Sequence, residues 1–158
     1  MELEEVFKKR HSVRAFEDRE IEEEKINSLL AVLEHVPSAG NLRAFQVRVI
    51  KDDATKQKLA EAALGQSFVS EAPLCLVFCA DANKSSSRYG KRGAELYSLQ
   101  DATIACTYVM LKAVELGLAS CWVGAFYDDE VMRILALEKG LRPVAILPIG
   151  YEKKRWWR

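Results

Sequence analysis

Residues 99–126, LQDATIACTYVMLKAVELGLASCWVGAF, decide the fold of this chain. The side chains from Ala102 to Leu111 are apolar or small on every face of a helix, and the only charges from there to Gly117 are Lys112 and Glu115. A helix that is apolar all round belongs in a core or an interface rather than on a surface. It is too short to cross a bilayer, which takes about 20 apolar residues. We therefore expect a buried helix at the centre of the fold.

The patterning on both sides of this helix predicts one sheet with helices packed on it. Gly117 is a typical helix end, and the apolar residues 119–123 that follow predict a buried strand bounded by Gly124. In the rest of the chain, the spacing of apolar residues predicts helices over 2–9, 21–36, 53–64 and 129–137, and Asp128 can cap the last of these. It predicts strands over 45–50, 74–80 and 144–149. Pro148 suggests that the last strand is an edge strand, contains a bulge or ends there. The polar residues 81–93 predict a long surface loop whose end could already be helical. Helices and strands interleave without a linker, which indicates one domain, residues 1–158, of mixed α and β class.

The composition argues against several classes of function. The 23 basic and 23 acidic residues cancel, so the overall field favours neither a nucleic acid nor a membrane as partner. The first residues contain no hydrophobic run typical of a signal peptide, and we expect a cytoplasmic protein. With two histidines, a metal site is not expected. All four cysteines lie in apolar stretches without a C-x-x-C pair, and we interpret them as buried reduced thiols: Cys75, Cys79, Cys106 and Cys121.

One basic segment is a candidate phosphate site. None of the eight glycines falls in a phosphate-binding glycine motif, so side chains would have to hold such a group. In an extended segment, Arg10, Ser12 and Arg14 point to the same side, which would align two guanidinium groups and a hydroxyl. The planar arginine fork suits phosphate oxygens. Taken alone, such a basic run is more often a solvated basic end of the preceding helix.

Two further segments allow two interpretations each. The loop Pro37–Asn41 could offer Ser38 and Asn41 to a ligand, or could simply form a turn. Gly124 could let a ligand approach the backbone closely, or could mark the end of a strand. Taken alone, each of these segments favours the purely structural interpretation.

Together, four segments carry a resemblance to a known family. They are RHSVR at 10–14, PSAGNL at 37–42, GLASCWVGAF at 117–126 and PIGY at 148–151. In this order and approximate spacing, the sequence resembles the FMN-dependent nitroreductases in their short, minimal form. The resemblance covers essentially the whole chain. It implies an α+β fold with a central mixed or antiparallel sheet flanked by helices, and a homodimer in which the long apolar helix lies near the dimer axis and two FMN sites lie at the interface.

The resemblance also implies which residues bind FMN. In the family, an Arg-x-Ser-x-Arg element holds phosphate and ribityl oxygens, a Pro-Ser-Ala-Gly-Asn loop reaches the flavin from the partner subunit, strand-end amides face N5 and O4, and an amide side chain lies near the ring. The corresponding residues here are Arg10, His11, Ser12, Arg14, Pro37, Ser38, Ala39, Asn41, Gln66, Val123 and Gly124. Two features depart from the family pattern. Arg43-Ala44-Phe45 replaces a common Gln-Pro-Trp, and a short basic tail at 153–158 replaces a longer extension.

The implied activity is transfer of a hydride from NADH or NADPH through flavin N5 to an oxidised small molecule such as a nitroaromatic or a quinone. The flavin carries this chemistry, so the resemblance implies no catalytic side chain. An alternative is a flavin-binding carrier or sensor without turnover. A further alternative is single-stranded nucleic-acid binding through the tail at 153–158, where cations alternate with tryptophans.

Overall fold

The computed structural model describes residues 1–154 and shows seven helices and four strands in that range. The helices are α1 (Leu3–Lys9), α2 (Glu23–Ala31), α3 (Asp53–Ala62), α4 (Phe68–Glu71), α5 (Ala82–Arg92), α6 (Ser98–Glu115) and α7 (Asp128–Ile134). The strands are β1 (Phe45–Ile50), β2 (Leu74–Asp81), β3 (Ala119–Ser120) and β4 (Leu141–Gly150). Short helical turns follow α2, precede β1 and join α5 to α6, at Val32–His35, Ala39–Asn41 and Gly93–Tyr97.

The sheet has the order β1-β2-β4-β3, and each neighbouring pair is antiparallel. The two interior strands are β2 and β4, and β2 is continuously buried from Leu74 to Ala80 as its unbroken apolar run predicts. Two groups of buried side chains cover the two faces of the sheet, one including α3 and α7 and the other including α2 and α6. The predicted α+β class with a central sheet flanked by helices is therefore confirmed, and the sheet is antiparallel.

Helix α6 is only partly buried within one chain. Its inner face packs on the sheet through Ala105, Cys106 and Val109, all fully buried. Its opposite face, which includes Thr107 and Tyr108, is open. The predicted position at the core is confirmed, but one chain does not bury the helix on every side.

The prediction of a surface loop at 81–93 is wrong, because this segment is the helix α5. Its start is capped by Asp81, whose carboxylate accepts the backbone N–H of Lys84 at 3.0 Å. The hydroxyls of Ser86 and Ser87 donate to carbonyls three residues earlier in the same helix. The segment lacks an apolar stripe, and for that reason its periodicity did not indicate a helix.

Other boundaries differ by a few residues. The predicted helix over 21–36 ends at Ala31 and continues as a tighter turn, and the one predicted over 129–137 ends at Ile134, near the positive φ of 48° at Ala136. Asp128 is the first residue of α7 rather than its cap. The strand predicted over 119–123 is a two-residue ladder followed by an isolated bridge from Val123 to Ile146. The predicted strand over 45–50 is confirmed.

An extended segment, residues 12–17, joins the two ends of the described chain. On one side, the N–H of Val13 donates to the carbonyl of Ser120 at 3.1 Å. On the other, the N–H of Glu17 donates to Tyr151 at 2.8 Å, and the N–H of Lys153 donates to Ala15 at 3.0 Å. The segment thus lies between β3 and the chain that follows β4. No helix within residues 1–154 has the length and apolar character needed to cross a bilayer.

Candidate functional site

The predicted phosphate-binding residues lie beside β3. Ser12 forms an isolated parallel bridge with Ser120, which gives the segment the extended conformation that the alternating spacing requires. Arg14 is exposed and Arg10 is half-buried. Within the part of the chain that the structure describes, neither guanidinium forms an ion pair or a side-chain hydrogen bond, so both remain available to an anion.

His11 is used differently from its neighbours. One ring nitrogen, Nδ1, lies 2.9 Å from the carbonyl oxygen of Lys9, and the other, Nε2, lies 3.1 Å from the carboxylate of Glu152. These hydrogen bonds, first the one to the Lys9 carbonyl, raise the pKa of His11. Because both ring nitrogens have partners in the chain, His11 holds the segment in place, and a ligand would reach its backbone more readily than its ring.

Cys121 lies next to this segment. Burial raises the pKa of its thiol, while the Arg14 guanidinium and the Ser12 hydroxyl act in the opposite direction. That influence shows that Arg14 and Ser12 are near the same sulfur atom. The thiol is buried, free and mainly protonated, as are the other three cysteines in their buried positions.

Gln66 and the end of the 117–126 segment lie together. The side-chain amide of Gln66 donates to the carbonyls of Ala63 at 2.8 Å and Ala125 at 3.3 Å. The N–H of Val123 is already donated to Ile146 at 2.9 Å. Of the two predicted amides, only that of Gly124 has no acceptor among the described residues.

The backbone of Gly124 is also open to approach. The residue is exposed, and an added Cβ would meet only the indole of Trp122, at 3.1 Å from Nε1. A planar ligand could therefore come close to this backbone from the solvent side. A β-branched side chain at this position would occupy the same space.

The loop Pro37–Asn41 belongs to a different part of the chain. Its backbone is tightly turned, with φ of 59° at Gly40 and 56° at Asn41. The hydroxyl of Ser38 accepts the N–H of Arg43 at 2.8 Å, and the N–H of Ala39 donates to the carboxylate of Asp101 at 3.3 Å. Within residues 1–154, no hydrogen bond joins this loop to the Arg10–Arg14 segment.

Arg43, the departure from the family pattern, braces the loop. Its guanidinium donates to the carbonyl of Glu34 at 2.5 Å, which ties the loop to the turn after α2. Its own φ is 48°, a left-handed conformation. The Nε atom of Arg43 is buried and has no partner in the described chain. The Arg43 side chain therefore stabilises the loop through its contact with the turn after α2.

Asp101 is a functional candidate that sequence reasoning missed. Its carboxylate is 2% exposed and accepts the N–H of Ala44 at 3.1 Å as well as that of Ala39. Burial raises the pKa of Asp101, partly offset by these two hydrogen bonds. A single carboxylate at the start of an otherwise apolar helix was the available signal, because a charge is rarely buried unless it has partners.

A cavity of about 620 Å³ lies where the loop meets α6. It is lined by Pro37, Ser38, Ala39, Asp101 and Ile104, together with their neighbours on α6. The predicted site residues thus form two groups in one chain. One group lies along residues 120–125, where Ser12 pairs with Ser120 and Gln66 donates to Ala125, and the other is this loop and its cavity.

The first group suits an anion joined to a flat polar ring. Two available guanidinium groups and a hydroxyl fit phosphate oxygens, and the available N–H of Gly124 can donate to a ring acceptor. These donors fit FMN, which carries both a phosphate and a ring with polar edges. The second group offers small side chains and a turned backbone that could cover a ring.

Comparison with known proteins agrees with the four motifs. The sequence profile of the Nitroreductase family matches residues 7–85 and 63–151. A solved nitroreductase family protein from Clostridium difficile 630 is 35% identical, with a TM-score of 0.87 over 100% of this chain and 88% of that chain. An FMN-dependent nitroreductase from Clostridium difficile R20291 is 29% identical, with a TM-score of 0.83 over 95% and 87% of the two chains. An FMN reductase [NAD(P)H] of Bacillus subtilis is 29% identical over 157 residues, covering 91% of this chain and 63% of that protein. This chain therefore belongs to the nitroreductase family.

Proposed function

We propose that this chain binds FMN and acts as an oxidoreductase that takes a hydride from NADH or NADPH and reduces an oxidised small molecule, such as a nitroaromatic or a quinone. The observation that carries the proposal is the pair of arginines at 10 and 14, which have no ion-pair partner among the described residues, on a segment that bridges to Ser120, four residues before the open backbone of Gly124. Membership of the family supports the same conclusion, as do the names of relatives that include an FMN-dependent nitroreductase and an FMN reductase.

The protein's part in this activity is binding and orientation. Arg10, Ser12 and Arg14 would hold the phosphate, and the N–H of Gly124 would donate to the polar edge of the ring. When bound, FMN would supply the redox chemistry, since a flavin accepts a hydride from a nicotinamide and passes electrons on to a second compound. No side chain near Gly124 has to act as a nucleophile, and the buried thiol of Cys121 is mainly protonated.

An absorbance spectrum of the purified protein tests this proposal. We expect the absorption of a bound flavin, release of FMN on denaturation, and loss of the absorption when NADH or NADPH is added without oxygen. A colourless protein that does not take up added FMN would contradict the proposal. A flavin-loaded protein that neither dinucleotide bleaches would support the alternative of a carrier or sensor without turnover.

We also propose that the protein works as a homodimer with shared sites. A groove of about 560 Å³ runs between α1 and the open face of α6, and its lining includes Leu3, Phe7 and Tyr108. These side chains are 61%, 54% and 37% exposed in the single chain. A contiguous apolar surface of this kind typically marks an interface. In such a dimer, the loop Pro37–Asn41 of one copy could meet the Arg10–Arg14 segment of the other, which would explain why the two are not joined within one chain.

Placing a charge in the groove is expected to produce monomers. Tyr108→Glu would bury an unpaired carboxylate in the interface, which is costly, and should shift sedimentation at micromolar concentration from dimer to monomer. FMN occupancy should fall with it, because each site would lose the partner's loop. Val49→Glu, at an exposed apolar position on β1, is the matched control and should remain a dimer. A wild-type chain that sediments as a folded, FMN-loaded monomer would contradict the shared-site proposal.

A further inference from the structure

Helix α5 and the turn after it form a corner at Gly90. The backbone there, with φ of 58° and ψ of −142°, is not helical, so residues 82–89 and 91–97 form two separate arms. The arms are in close contact, since a Cβ added at Gly93 would lie 2.6 Å from the carbonyl oxygen of Ser85. The rings of Tyr89 and Tyr97 meet edge to face across the corner, with centroids 5.2 Å apart. The two arms of the corner are therefore closely packed against each other.

This corner carries a concentrated positive charge. Residues 82–97 contain four cations against the single carboxylate of Glu95, a surplus of three in a chain whose overall net charge is zero. The cations are Lys84, Arg88, Lys91 and Arg92. Glu95 lies 3.8 Å from Lys91. In the described part of the chain, neither arginine of the corner has a carboxylate partner.

Both arginines lie beside aromatic rings. The guanidinium carbon of Arg88 is 5.6 Å from the centre of the Tyr89 ring, and that of Arg92 is 5.6 Å from the centre of the Tyr97 ring. Arg92 donates through Nε to the Tyr97 hydroxyl at 3.1 Å, and Arg88 makes one long contact, 3.4 Å, to the carbonyl of Gly40. Most of their N–H groups remain available. The corner thus combines planar cations with planar aromatic rings.

The corner also borders the loop cavity. A Cβ added at Gly40 would clash with the hydroxyl of Tyr89 and would lie 2.9 Å from a terminal nitrogen of Arg88. The corner therefore rests directly on the loop Pro37–Asn41, which lines the cavity of about 620 Å³. A ligand whose reactive ring enters this region would have its remaining parts within reach of the cations.

We propose that the Arg88–Arg92 corner binds the 2′-phosphate and adenine of NADPH, and so makes this chain select NADPH over NADH. The inference rests on the proposed function and names its electron donor. Arginine forks bind phosphate oxygens in pairs, and the tyrosine rings of the corner offer a stacking surface to the base. NADH has the same adenine but lacks the 2′-phosphate that would pair with Arg88 and Arg92. A neutral acceptor such as a quinone needs none of these cations.

Binding of 2′,5′-ADP to the FMN-loaded protein tests this inference without turnover. We expect calorimetry to show binding of 2′,5′-ADP that is at least about tenfold tighter than binding of 5′-AMP, since hydrogen bonds to charged groups are among the stronger ones. Arg92→Ala and Arg88→Ala should each weaken 2′,5′-ADP by about tenfold and leave 5′-AMP nearly unchanged. Arg88→Lys, which keeps the charge, should lose less. Arg133→Ala, an exposed arginine on α7, is the matched control and should change neither.

Steady-state kinetics give a second measurement. In the two alanine variants the KM for NADPH should rise by about tenfold while kcat and the KM for NADH stay close to wild type. Equal affinity for 2′,5′-ADP and 5′-AMP, or 2′,5′-ADP binding that neither variant weakens, would overturn the inference. If NADH and NADPH reduce the protein equally well in all variants, the proposed function stands and the donor selectivity fails. If neither reduces it, the proposed function fails, and the 2′,5′-ADP titration still decides whether the corner binds this phosphate.

Discussion

Replacing Asp101 with alanine is expected to lower the free energy of unfolding by about 2–5 kcal/mol, because a buried N–H left without an acceptor costs about 1–3 kcal/mol. The carboxylate accepts two N–H groups, one from the half-buried Ala39 and one from the fully buried Ala44. For a domain of this length, the melting temperature should fall by roughly 5–15 °C. Thermal unfolding followed by circular dichroism measures the change.

Two further variants sharpen this experiment. Asp101→Asn keeps the size of the side chain, but only its amide oxygen can accept, so the amide NH₂ would face one of the two N–H groups. We expect a substantial loss of stability in this variant too. Asp18→Ala removes an exposed carboxylate and should leave the melting temperature within about 1–2 °C of wild type. An Asp101→Ala protein with unchanged stability would show that the carboxylate does not hold the loop.

Replacing Arg10 or Arg14, which we propose bind the FMN phosphate, is the second change with a large expected effect. A hydrogen bond to a charged group contributes about 1.5–3 kcal/mol, so Arg10→Ala or Arg14→Ala should weaken FMN binding by about ten- to a hundredfold. Neither side chain has an ion pair within residues 1–154, so neither change leaves a buried charge behind. Titration of the apoprotein with FMN, followed by flavin fluorescence, gives the dissociation constant.

Riboflavin provides the control for that measurement. It has the same ring but no phosphate, so its affinity should hardly change in either arginine variant. Ser12→Ala should weaken FMN less than the arginine changes, because the hydroxyl can donate only one hydrogen bond and carries no charge of its own. Equal losses for FMN and riboflavin would place the phosphate elsewhere or indicate a misfolded segment.

Local patterning predicted those parts of the fold that bury an apolar face. Both β1 and β2 were placed closely, because a buried strand needs a continuous or alternating apolar run. Helix α5 was missed because it is polar on most sides and depends on the Asp81 cap rather than on a core. Its role as a platform for Arg88 follows from tertiary contacts with the 37–41 loop, which no local pattern contains.

Some features of the candidate site could likewise be predicted from the sequence, whereas others depend on tertiary contacts. The Arg10–Arg14 spacing indicated side chains on one face, and the structure places that segment beside β3 through an isolated bridge from Ser12 to Ser120. The hydrogen bond from Ala44 to Asp101 joins residues 57 positions apart, so the sequence alone could not show that this carboxylate supports the loop. Likewise, only the sheet pairing reveals that Val123 has already donated its N–H, which leaves Gly124 as the available amide.

The position of residues 12–17 between β3 and the residues after β4 has a consequence for how the protein is made. During translation, His11 emerges well before Glu152, its partner 141 positions later. Closing so long a loop costs chain entropy that is recovered only when the distant contacts form. The Arg10–Arg14 segment is therefore translated early but ordered late, after β4 has joined the sheet. A nascent chain halted before Tyr151 would have no formed phosphate site, and cofactor loading would follow completion of the sheet.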